Sequence, residues 1–505
     1  MTETARVSIL VACFLVLAIS FLIGWWARKK VTSPEAFFGG AKIFGPITIG
    51  LATMAAVGSA FAVVGVPGLI YSTGNTILLF MFAAPAFVFG YLVIGKKVRA
   101  MAEIGTVASL GDLSDLRFNR HRGIKLMLSL MLFLGCVMYL AAQVEACAVL
   151  FQNLFDWNRL LISTIIFAIL IGYTVLSGEI GGILTQAFQG MVMVIAGLIV
   201  IVAFFAVTGG FGPVLDAISG SRGAAAHLNP NAMTAWGVLP GAYSLAWVLL
   251  PTLGLMCQPQ VLTRMFALRT PRDMPKLSIY AALSNVIAGM MVLAIGYCAV
   301  YLVARGTLAP LAAPDKAVFK VADYLGVFTQ VFIYPAVLAA ALSTSSLFLS
   351  LAGNIMSRDL PSALGFEIAP AKQMRTSQIA MVALGVLAIA FASVSGKMVA
   401  ILGTYGFGTL TAATFPIFIV GLLWKRATSR GVMLGMVTAL VGTIGCVTLE
   451  LMNKLGATRF SWPGGIPWYI NVLAVSVIVS VIASLVTRRA TDEPMDPHVE
   501  MAMEL

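Results

Sequence analysis

The chain has 505 residues, of which 60% are hydrophobic and 10% are charged, and its formal net charge is +12 at pH 7. Its mean hydropathy is +0.97, which means more apolar surface than the core of a soluble protein can bury. This composition predicts a polytopic membrane protein and leaves no room for a soluble catalytic or signalling domain.

Apolar runs of roughly 20 residues, the length that crosses a bilayer as a helix, recur along the whole chain. The first run, residues 7–26, has no basic leader and no A-x-A cleavage site, and Arg28, Lys29 and Lys30 follow it. We therefore interpret it as a retained span and not as a signal peptide. Thirteen spans are predicted, near residues 7–26, 45–72, 76–95, 126–147, 160–177, 186–207, 236–257, 277–303, 328–352, 376–394, 399–424, 432–452 and 468–487.

The distribution of Lys and Arg predicts the orientation, because loops rich in these residues are retained on the cytoplasmic side. One alternate set of loops, together with the C-terminus, holds 23 of the 32 Lys and Arg residues. The N-terminus is then outside and the C-terminus inside. The positive charge is mostly a topology signal, and no basic stretch carries the interleaved aromatic residues of a base-stacking site, so no nucleic-acid partner is expected.

Cysteine and histidine indicate neither a disulfide framework nor a metal centre. The six cysteines lie in or at the end of apolar spans without a C-x-x-C pair, and the three histidines are scattered. A membrane-embedded enzyme would need a nucleophile and base or a bound metal, which these residues do not supply. No enzymatic activity and no cofactor are therefore expected.

Two interior features predict binding of an ion and a solute. Residues 340–346 (Ala-Ala-Leu-Ser-Thr-Ser-Ser) place four consecutive hydroxyls in an apolar span, which suits a dehydrated hard cation. Gly and Pro interrupt span 2 at 58–68 and span 7 at 251–259, five spans apart. Broken helices in corresponding positions indicate inverted repeats with a binding site between them. The alternative is that these residues serve only packing, kinks and back-bonding to the helix.

Several short sequences resemble the sodium:solute symporter family over residues from about 36 to 440. They are Phe37-Phe38-Gly39-Gly40, Gly65-Val66-Pro67-Gly68, Pro259-Gln260 with Arg264-Met265-Phe266, the 340–346 run closing on Ser357-Arg358-Asp359-Leu360, and Phe415-Pro416 leading to GLLWKRATSRG at 421–431. The resemblance implies an all-α, LeuT-like fold of five-plus-five inverted repeats, alternating access and sodium-driven uptake of a small organic solute across the bacterial inner membrane. The repeats would be 45–207 and 236–424, with an extra N-terminal helix and loop at 1–44, two helices at 432–487 and a cytoplasmic tail at 488–505.

The resemblance also implies a sodium site of five neutral oxygens. An unwound turn frees backbone carbonyls, and adjacent hydroxyls add ligands without adding charge, which suits a monovalent cation. Residue-by-residue matching gives the carbonyls of Ala55, Gly58 and Ala340 with the hydroxyls of Ser343 and Thr344.

Some family members have a second sodium site that includes an Asp and a further pair of hydroxyls. Gln186 stands at the position of the Asp here, and Leu347 at that of one of the two hydroxyls. This loss favours one coupling ion, or a different cation such as a proton. Glu145, an intramembrane carboxyl, is a candidate proton carrier, or else is protonated or hydrogen-bonded to a neighbouring helix.

The candidate substrate-binding residues would line the interface of the repeats. The Tyr139 to Gln143 sequence and Gln186 also look like the acetate and monocarboxylate permease branch, so a monocarboxylate such as acetate is expected. No Lys or Arg lies in the middle of a predicted span, so helix N-termini, amides, hydroxyls or the bound cation would balance a carboxylate. The candidates are Ser59, Phe61, Tyr139, Gln143, Gly254 and Tyr405.

The sequence therefore predicts a sodium-coupled symporter in the lipid bilayer. A proton-coupled carrier of the same fold and a symporter of an amino acid, vitamin or sugar stay open as alternatives, with a transporter-like sensor behind them. The identity of the solute, the stoichiometry, the oligomeric state and any accessory subunit are also open.

Overall fold

The computed structural model describes residues 2–30, 42–75, 83–105, 107–155, 158–220, 250–396, 398–454, 465–487 and 495–505, with isolated positions between these ranges. In the described part the chain is helical, and an isolated bridge between Phe44 and Leu268 is its one extended pairing. Helices are the expected outcome because an apolar span must satisfy every backbone N–H and C=O within itself.

Eighteen α-helices are described. π-helical turns lie within α3, α13 and α15, and one joins α4 to α5; another, Leu250–Gly254, and a 3-10 turn, Leu255–Cys257, precede α10. In chain order, the helices are α1 Glu3–Ala27, α2 Pro46–Val57, α3 Phe61–Thr73, α4 Ala83–Phe89, α5 Lys96–Ile104, α6 Leu110–Arg117, α7 Arg122–Gln152, α8 Arg159–Thr208, α9 Phe211–Gly220, α10 Pro259–Ala267, α11 Met274–Ala304, α12 Ala317–Leu325, α13 Val327–Leu364, α14 Pro370–Ser395, α15 Val399–Leu423, α16 Ser429–Lys454, α17 Trp468–Val486 and α18 Pro497–Glu504.

Nine helices of the described part are long and apolar enough to cross a membrane, and α2 and α3, bent by 52° at their break, meet the same criterion when they are taken together as one span. The first half of α8 matches predicted span 160–177, and α8 kinks at Gly178, whose φ of 56° favours glycine. Predicted spans 76–95 and 236–257 fall partly outside the described residues. The count of thirteen spans therefore stays a prediction.

Helix α13 forms the centre of the molecule. Every residue from Ile333 to Ile355 is buried, because α1, α2, α7, α8 and α14 pack around it. A membrane helix with no lipid-facing stripe can carry polar side chains at bilayer depth, since they meet protein rather than hydrocarbon. The hydroxyl run at 343–346 lies in this fully buried stretch.

The basic loops meet at one end of the bundle. Buried Arg99 of α5 donates to the carbonyl oxygen of Leu268, and buried Arg117 of α6 donates to that of Gly421. Residues 497–504, predicted as part of a tail, form α18 and pack against α5 at this same end. That the basic loops share one end agrees with the predicted sidedness, and the side of the membrane that they face stays a prediction.

Candidate functional site

The break between α2 and α3 occurs at Gly58 and Ser59. Gly58 has φ −71° and ψ 44°, so the chain leaves the helix there and resumes it at Phe61. The N–H of Ala60 donates to Gln143 Oε1 at 3.1 Å, whereas in a continuous helix it would bond to the carbonyl oxygen of Ala56. The break therefore frees backbone carbonyls of α2 for partners on other helices.

The hydroxyls of Ser343 and Thr344 lie against these freed carbonyls. Ser343 Oγ is 2.8 Å from the carbonyl oxygen of Ala55 and 3.0 Å from that of Ala340, and Thr344 Oγ1 is 3.1 Å from that of Ala56. Both side chains are fully buried. The structure thus brings together four of the five residues matched to a sodium site.

The fifth matched residue, Gly58, lies at the break but is not the residue that Thr344 contacts. The prediction placed the second α2 carbonyl at Gly58, and the structure places Thr344 against Ala56. Adjacent hydroxyls on α13 face adjacent carbonyls on α2, because the two helices pack side by side at this point. Which carbonyl faces a hydroxyl depends on this packing and cannot be inferred from spacing along the chain.

Four predicted substrate residues come together directly beyond the break. Ser59 Oγ lies 3.1 Å from Tyr139 Oη, and the amide of Gln143 accepts from the N–H of Ala60. The Phe61 ring meets the Tyr139 ring edge-on, with centroids 6.4 Å apart. The result is a compact group of hydroxyl, amide and aromatic side chains joined to the same break that holds the carbonyls.

Glycines of α15 allow this group to pack closely. A Cβ at Gly403 would lie 2.3 Å from the ring of Phe61, and a Cβ at Gly406 would lie 2.5 Å from the backbone of Tyr139. Such small residues let membrane helices approach at backbone distance. Helix α15 therefore forms one wall of the group.

The two other predicted substrate residues lie elsewhere. A Cβ on Gly254 would be 2.9 Å from Thr411 Oγ1, so this glycine packs directly against α15. Tyr405 donates its hydroxyl to Glu450 at 2.8 Å, and its ring packs on Trp468 at 5.3 Å. The side chain of Tyr405 thus contacts α16 and α17. A carboxylate near the end of span 12 is the sequence feature that could have suggested this partner.

Glu145 is buried on α7, two residues beyond Gln143. Two positions along a helix differ by about 200° in direction, so the two side chains leave opposite faces of α7. Glu145 therefore does not share the face that holds Gln143 against the break.

A buried cation escaped the sequence analysis. Arg264 of α10 is fully buried, and its guanidinium donates to Glu179 and to Gln186 Oε1. Gln186 Nε2 donates to Ser346 Oγ at 3.0 Å, and Ser346 Oγ lies 3.0 Å from the carbonyl oxygen of Ser343. Arg264 lies outside predicted span 7, which ends at 257, because α10 is a separate helix that begins at Pro259 after the extended Gln258. The sequence features that could have suggested this buried pair are the Pro259-Gln260 to Arg264 motif and the carboxylate of Glu179.

At the position matched to the second sodium site, Gln186 therefore bonds to protein groups. Gln186 places its amide oxygen towards a guanidinium and its amide nitrogen towards a hydroxyl, so both ends already have protein partners. A buried charge is tolerated when it is paired and hydrogen-bonded, as Arg264 is here.

Comparisons with known proteins support the fold and the family. Among curated relatives are the osmoregulated proline transporter OpuE of Bacillus subtilis, 24% identical over 93% of this chain and 92% of its own length, and the high-affinity proline transporter PutP of the same organism, 23% identical over 93% and 98%. Sodium/proline symporter 2 of Staphylococcus saprophyticus is 26% identical over 93% and 92%.

Solved structures show the same fold at low identity. A substrate-bound, outward-open Na+-coupled sialic acid symporter superposes with a TM-score of 0.72 at 16% identity, over 95% of this chain and 98% of that one. Mhp1, a nucleobase-cation-symport-1 family transporter in a closed conformation, gives a TM-score of 0.51 at 12% identity, over 92% and 97%. The model of the sodium:solute symporter family matches residues 37–439, and the chain belongs to this family.

Proposed function

We propose that this protein is a sodium-coupled symporter that takes up proline or a closely related small amino acid across the bacterial cytoplasmic membrane. The observation that carries the proposal is the contact of Ser343 and Thr344 with the carbonyls freed at the α2–α3 break. The proline transporters among the relatives favour this solute over the acetate expected from the Tyr139 to Gln143 sequence.

Sodium would bind between α2 and α13. A hydroxyl that donates to a carbonyl can rotate its hydrogen away and turn a lone pair towards a cation. Ser343 and Thr344 would then share the ion with the carbonyls of Ala55, Gly58 and Ala340, and the ion would replace the direct hydrogen bonds between the helices. Neutral oxygens are enough because the ion carries only one charge.

Sodium and solute would be coupled through the break itself. The residues that follow the freed carbonyls, Ser59 and Ala60, are those that contact Tyr139 and Gln143. An ion that orders the break also orders these contacts, so sodium would raise the affinity for solute. By linkage, solute would raise the affinity for sodium by the same factor.

The group beyond the break suits a zwitterion with an apolar ring. The N-terminus of α3 carries a partial positive charge and can receive the carboxylate, with the Ala60 N–H now held by Gln143 as one donor. The ring centroids of Phe348 and Phe61 lie 4.9 Å and 6.4 Å from that of Tyr139. These rings would pack on the solute's aliphatic ring.

The proposed stoichiometry is one sodium per solute. Gln186 has no charge with which to hold a second cation, and the Arg264 guanidinium that it contacts repels one. This supports the reading that the missing Asp means a single coupling ion. A proton-coupled carrier is the alternative, and Glu145 would be its carrier group.

The test is uptake of labelled proline by proteoliposomes, with acetate, lactate, pyruvate, pantothenate and a hexose as competing candidates. Each solute is tested with a sodium gradient and with a proton gradient alone. Sodium-driven proline uptake at low sodium that falls at least about 100-fold in Ser343→Ala/Thr344→Ala supports the proposal, because two ligands of about 1.5–3 kcal/mol each are lost.

The matched control is Ser350→Ala, a buried hydroxyl on the same helix without a hydrogen-bond partner among the described residues. It should keep parental uptake. Uptake driven by protons alone and unaffected by the double substitution would overturn sodium coupling. Uptake of acetate but not proline would overturn the solute.

A further inference from the structure

We propose that α18 is a strap that restrains opening of the cytoplasmic side, because it joins the part of the molecule that carries the broken helices to the part that surrounds them. This inference rests on the proposed alternating-access function. It concerns a segment that takes no part in binding sodium or solute.

Helix α18 is docked on the bundle and is not a free tail. Val499, Ala502 and Met503 are buried, with Val499 fully so. The ammonium of Lys97, itself 9% exposed on α5, donates to the carbonyl oxygen of Met503. This buried hydrogen bond between Lys97 and Met503 fixes the end of α18 on α5.

Two acidic side chains of α18 are tied to another loop. Lys425 Nζ lies 3.2 Å from Glu500 Oε1 and also pairs with Glu504. Hydrogen bonds to Glu504 and Glu500 raise the pKa of Lys425, so the ammonium stays charged at neutral pH. Lys425 belongs to the loop between α15 and α16, so α18 bridges this loop and α5.

Helix α5 belongs with the broken helices. Arg99 Nε donates to the carbonyl oxygen of Leu268 at 3.1 Å, at the end of α10. The N–H of Arg269 donates to the carbonyl oxygen of Phe44 at 2.9 Å, just before α2. The cytoplasmic ends of α2, α5 and α10 are therefore hydrogen-bonded into one unit.

The Lys425 loop belongs with the surrounding helices. Buried Arg117 of α6 donates to the carbonyl oxygens of Gly421 at 2.6 Å, Ala427 at 3.3 Å and Trp424 at 3.4 Å. These three bonds hold both sides of the loop against α6, which packs most on α7 and also contacts α5 and α10. Lys425 is thus anchored through α6 to α7, whereas Lys97 lies on α5 itself.

In inverted-repeat transporters, one group of helices rocks against the other around a fixed site. A contact across the two groups must stretch or break when they separate, so α18 opposes separation at the end where it lies. Its ion pairs are weak and screened by salt, since the Lys425, Glu500 and Glu504 side chains are 39%, 48% and 62% exposed. The strap is therefore a restraint that can be released during the cycle.

The test uses a reporter cysteine at Thr263, which lies on α10 and lines a small cavity with Glu179 and Asn354 at the cytoplasmic end. The parent carries Thr263→Cys with Cys446→Ser, because Cys446 is the one native cysteine that is not buried. A membrane-impermeant maleimide is applied to inside-out vesicles without sodium. Val499→Asp places a carboxylate at a fully buried position and should detach α18 from the bundle. The cysteine at position 263 should then be labelled several-fold faster than in the parent.

Met501→Asp is the matched control, because Met501 is on the same helix but 56% exposed. It should label at the parental rate. Equal labelling rates for Val499→Asp and the parent would overturn the strap.

A charge reversal provides a second test in case Val499→Asp does not fold. Lys425→Glu should label faster than the parent, and adding Glu500→Lys with Glu504→Lys should return the rate towards parental. An unchanged rate in Lys425→Glu, or no return in the triple variant, would overturn the strap. Labelling does not depend on the solute carried, so absence of proline uptake by the parent would overturn the proposed function alone.

Discussion

Two hydroxyl clusters on α13, one turn apart, have opposite electrostatic surroundings. Among the described residues, the hydroxyls of Ser343 and Thr344 contact backbone carbonyls, whereas that of Ser346 also contacts Gln186, whose amide oxygen accepts from the guanidinium of Arg264. The first cluster offers oxygens to a mobile cation. The second already has a permanent cation supplied by the protein. The comparison teaches that hydroxyls along one helix do not make equivalent ion sites, because charge on neighbouring helices decides which of them a cation can use.

The largest effect is expected at the permanent cation. Arg264→Ala removes the partner of Glu179, whose side chain is 12% exposed, and leaves a nearly buried carboxylate unpaired. Breaking a buried ion pair from one side costs about 3–5 kcal/mol. The thermal unfolding temperature of the purified protein in detergent should fall sharply. Arg272→Ala, an exposed arginine just beyond α10, is the control and should melt with the parent.

Matched hydroxyl deletions test the comparison directly. Ser343→Ala should raise the sodium concentration for half-maximal uptake about 10-fold or more, since a hydrogen-bonding group on a charged partner contributes about 1.5–3 kcal/mol. Ser346→Ala should leave this concentration nearly unchanged and lower stability slightly, because its partner is Gln186. Equal shifts in the two variants would mean that the second cluster also binds sodium.

A smaller effect on transport is expected at Tyr139, and none at Tyr405, although the sequence predicts both tyrosines to bind substrate. Tyr139→Phe removes the bond to Ser59, worth about 0.5–1.5 kcal/mol, and should raise the KM for solute by a few-fold. Tyr405→Phe removes the bond to Glu450 and should lower the melting temperature with KM unchanged. A raised KM for solute in Tyr405→Phe would mean that Tyr405 does contribute to solute binding.

The smallest effect is expected at Glu145. Glu145→Gln keeps the size and hydrogen-bonding capacity of the side chain, and the residue leaves α7 on the face opposite to Gln143. Sodium-driven uptake and its dependence on external pH should match the parent. A flattened pH profile with slower uptake would favour the proton-coupled alternative.

Much of the site could be predicted from local sequence. The break at Gly58 and Ser59 follows from glycine and small polar residues inside an apolar run, and the Ser343 and Thr344 pair is visible as a rare hydroxyl run. Tyr139 and Gln143 are one helical turn apart on α7, so one face carries both towards the break. These features depend on residues close together in the chain.

The remaining features depend on which helices become neighbours. Arg264 and Gln186 are 78 positions apart, and nothing in either local sequence pairs them. Tyr405 and Glu450 are 45 apart, and Lys97 and Met503 are 406 apart. Their contacts exist because particular faces of α8, α10, α15, α16 and α18 are packed together.

The sequence by itself determined that this chain lies in a membrane, that a helix breaks at Gly58 and Ser59, and that hydroxyls accumulate on one buried helix. Composition and short-range sequence pattern are sufficient to predict these features, because a segment inside the bilayer must form its backbone hydrogen bonds within itself and expose mostly apolar side chains. Only the tertiary structure decided that Thr344 faces Ala56, that a guanidinium contacts Gln186, and that α18 contacts both α5 and the loop after α15. These contacts depend on which side chains meet across helix interfaces. Helix packing determines this, and spacing along the chain does not.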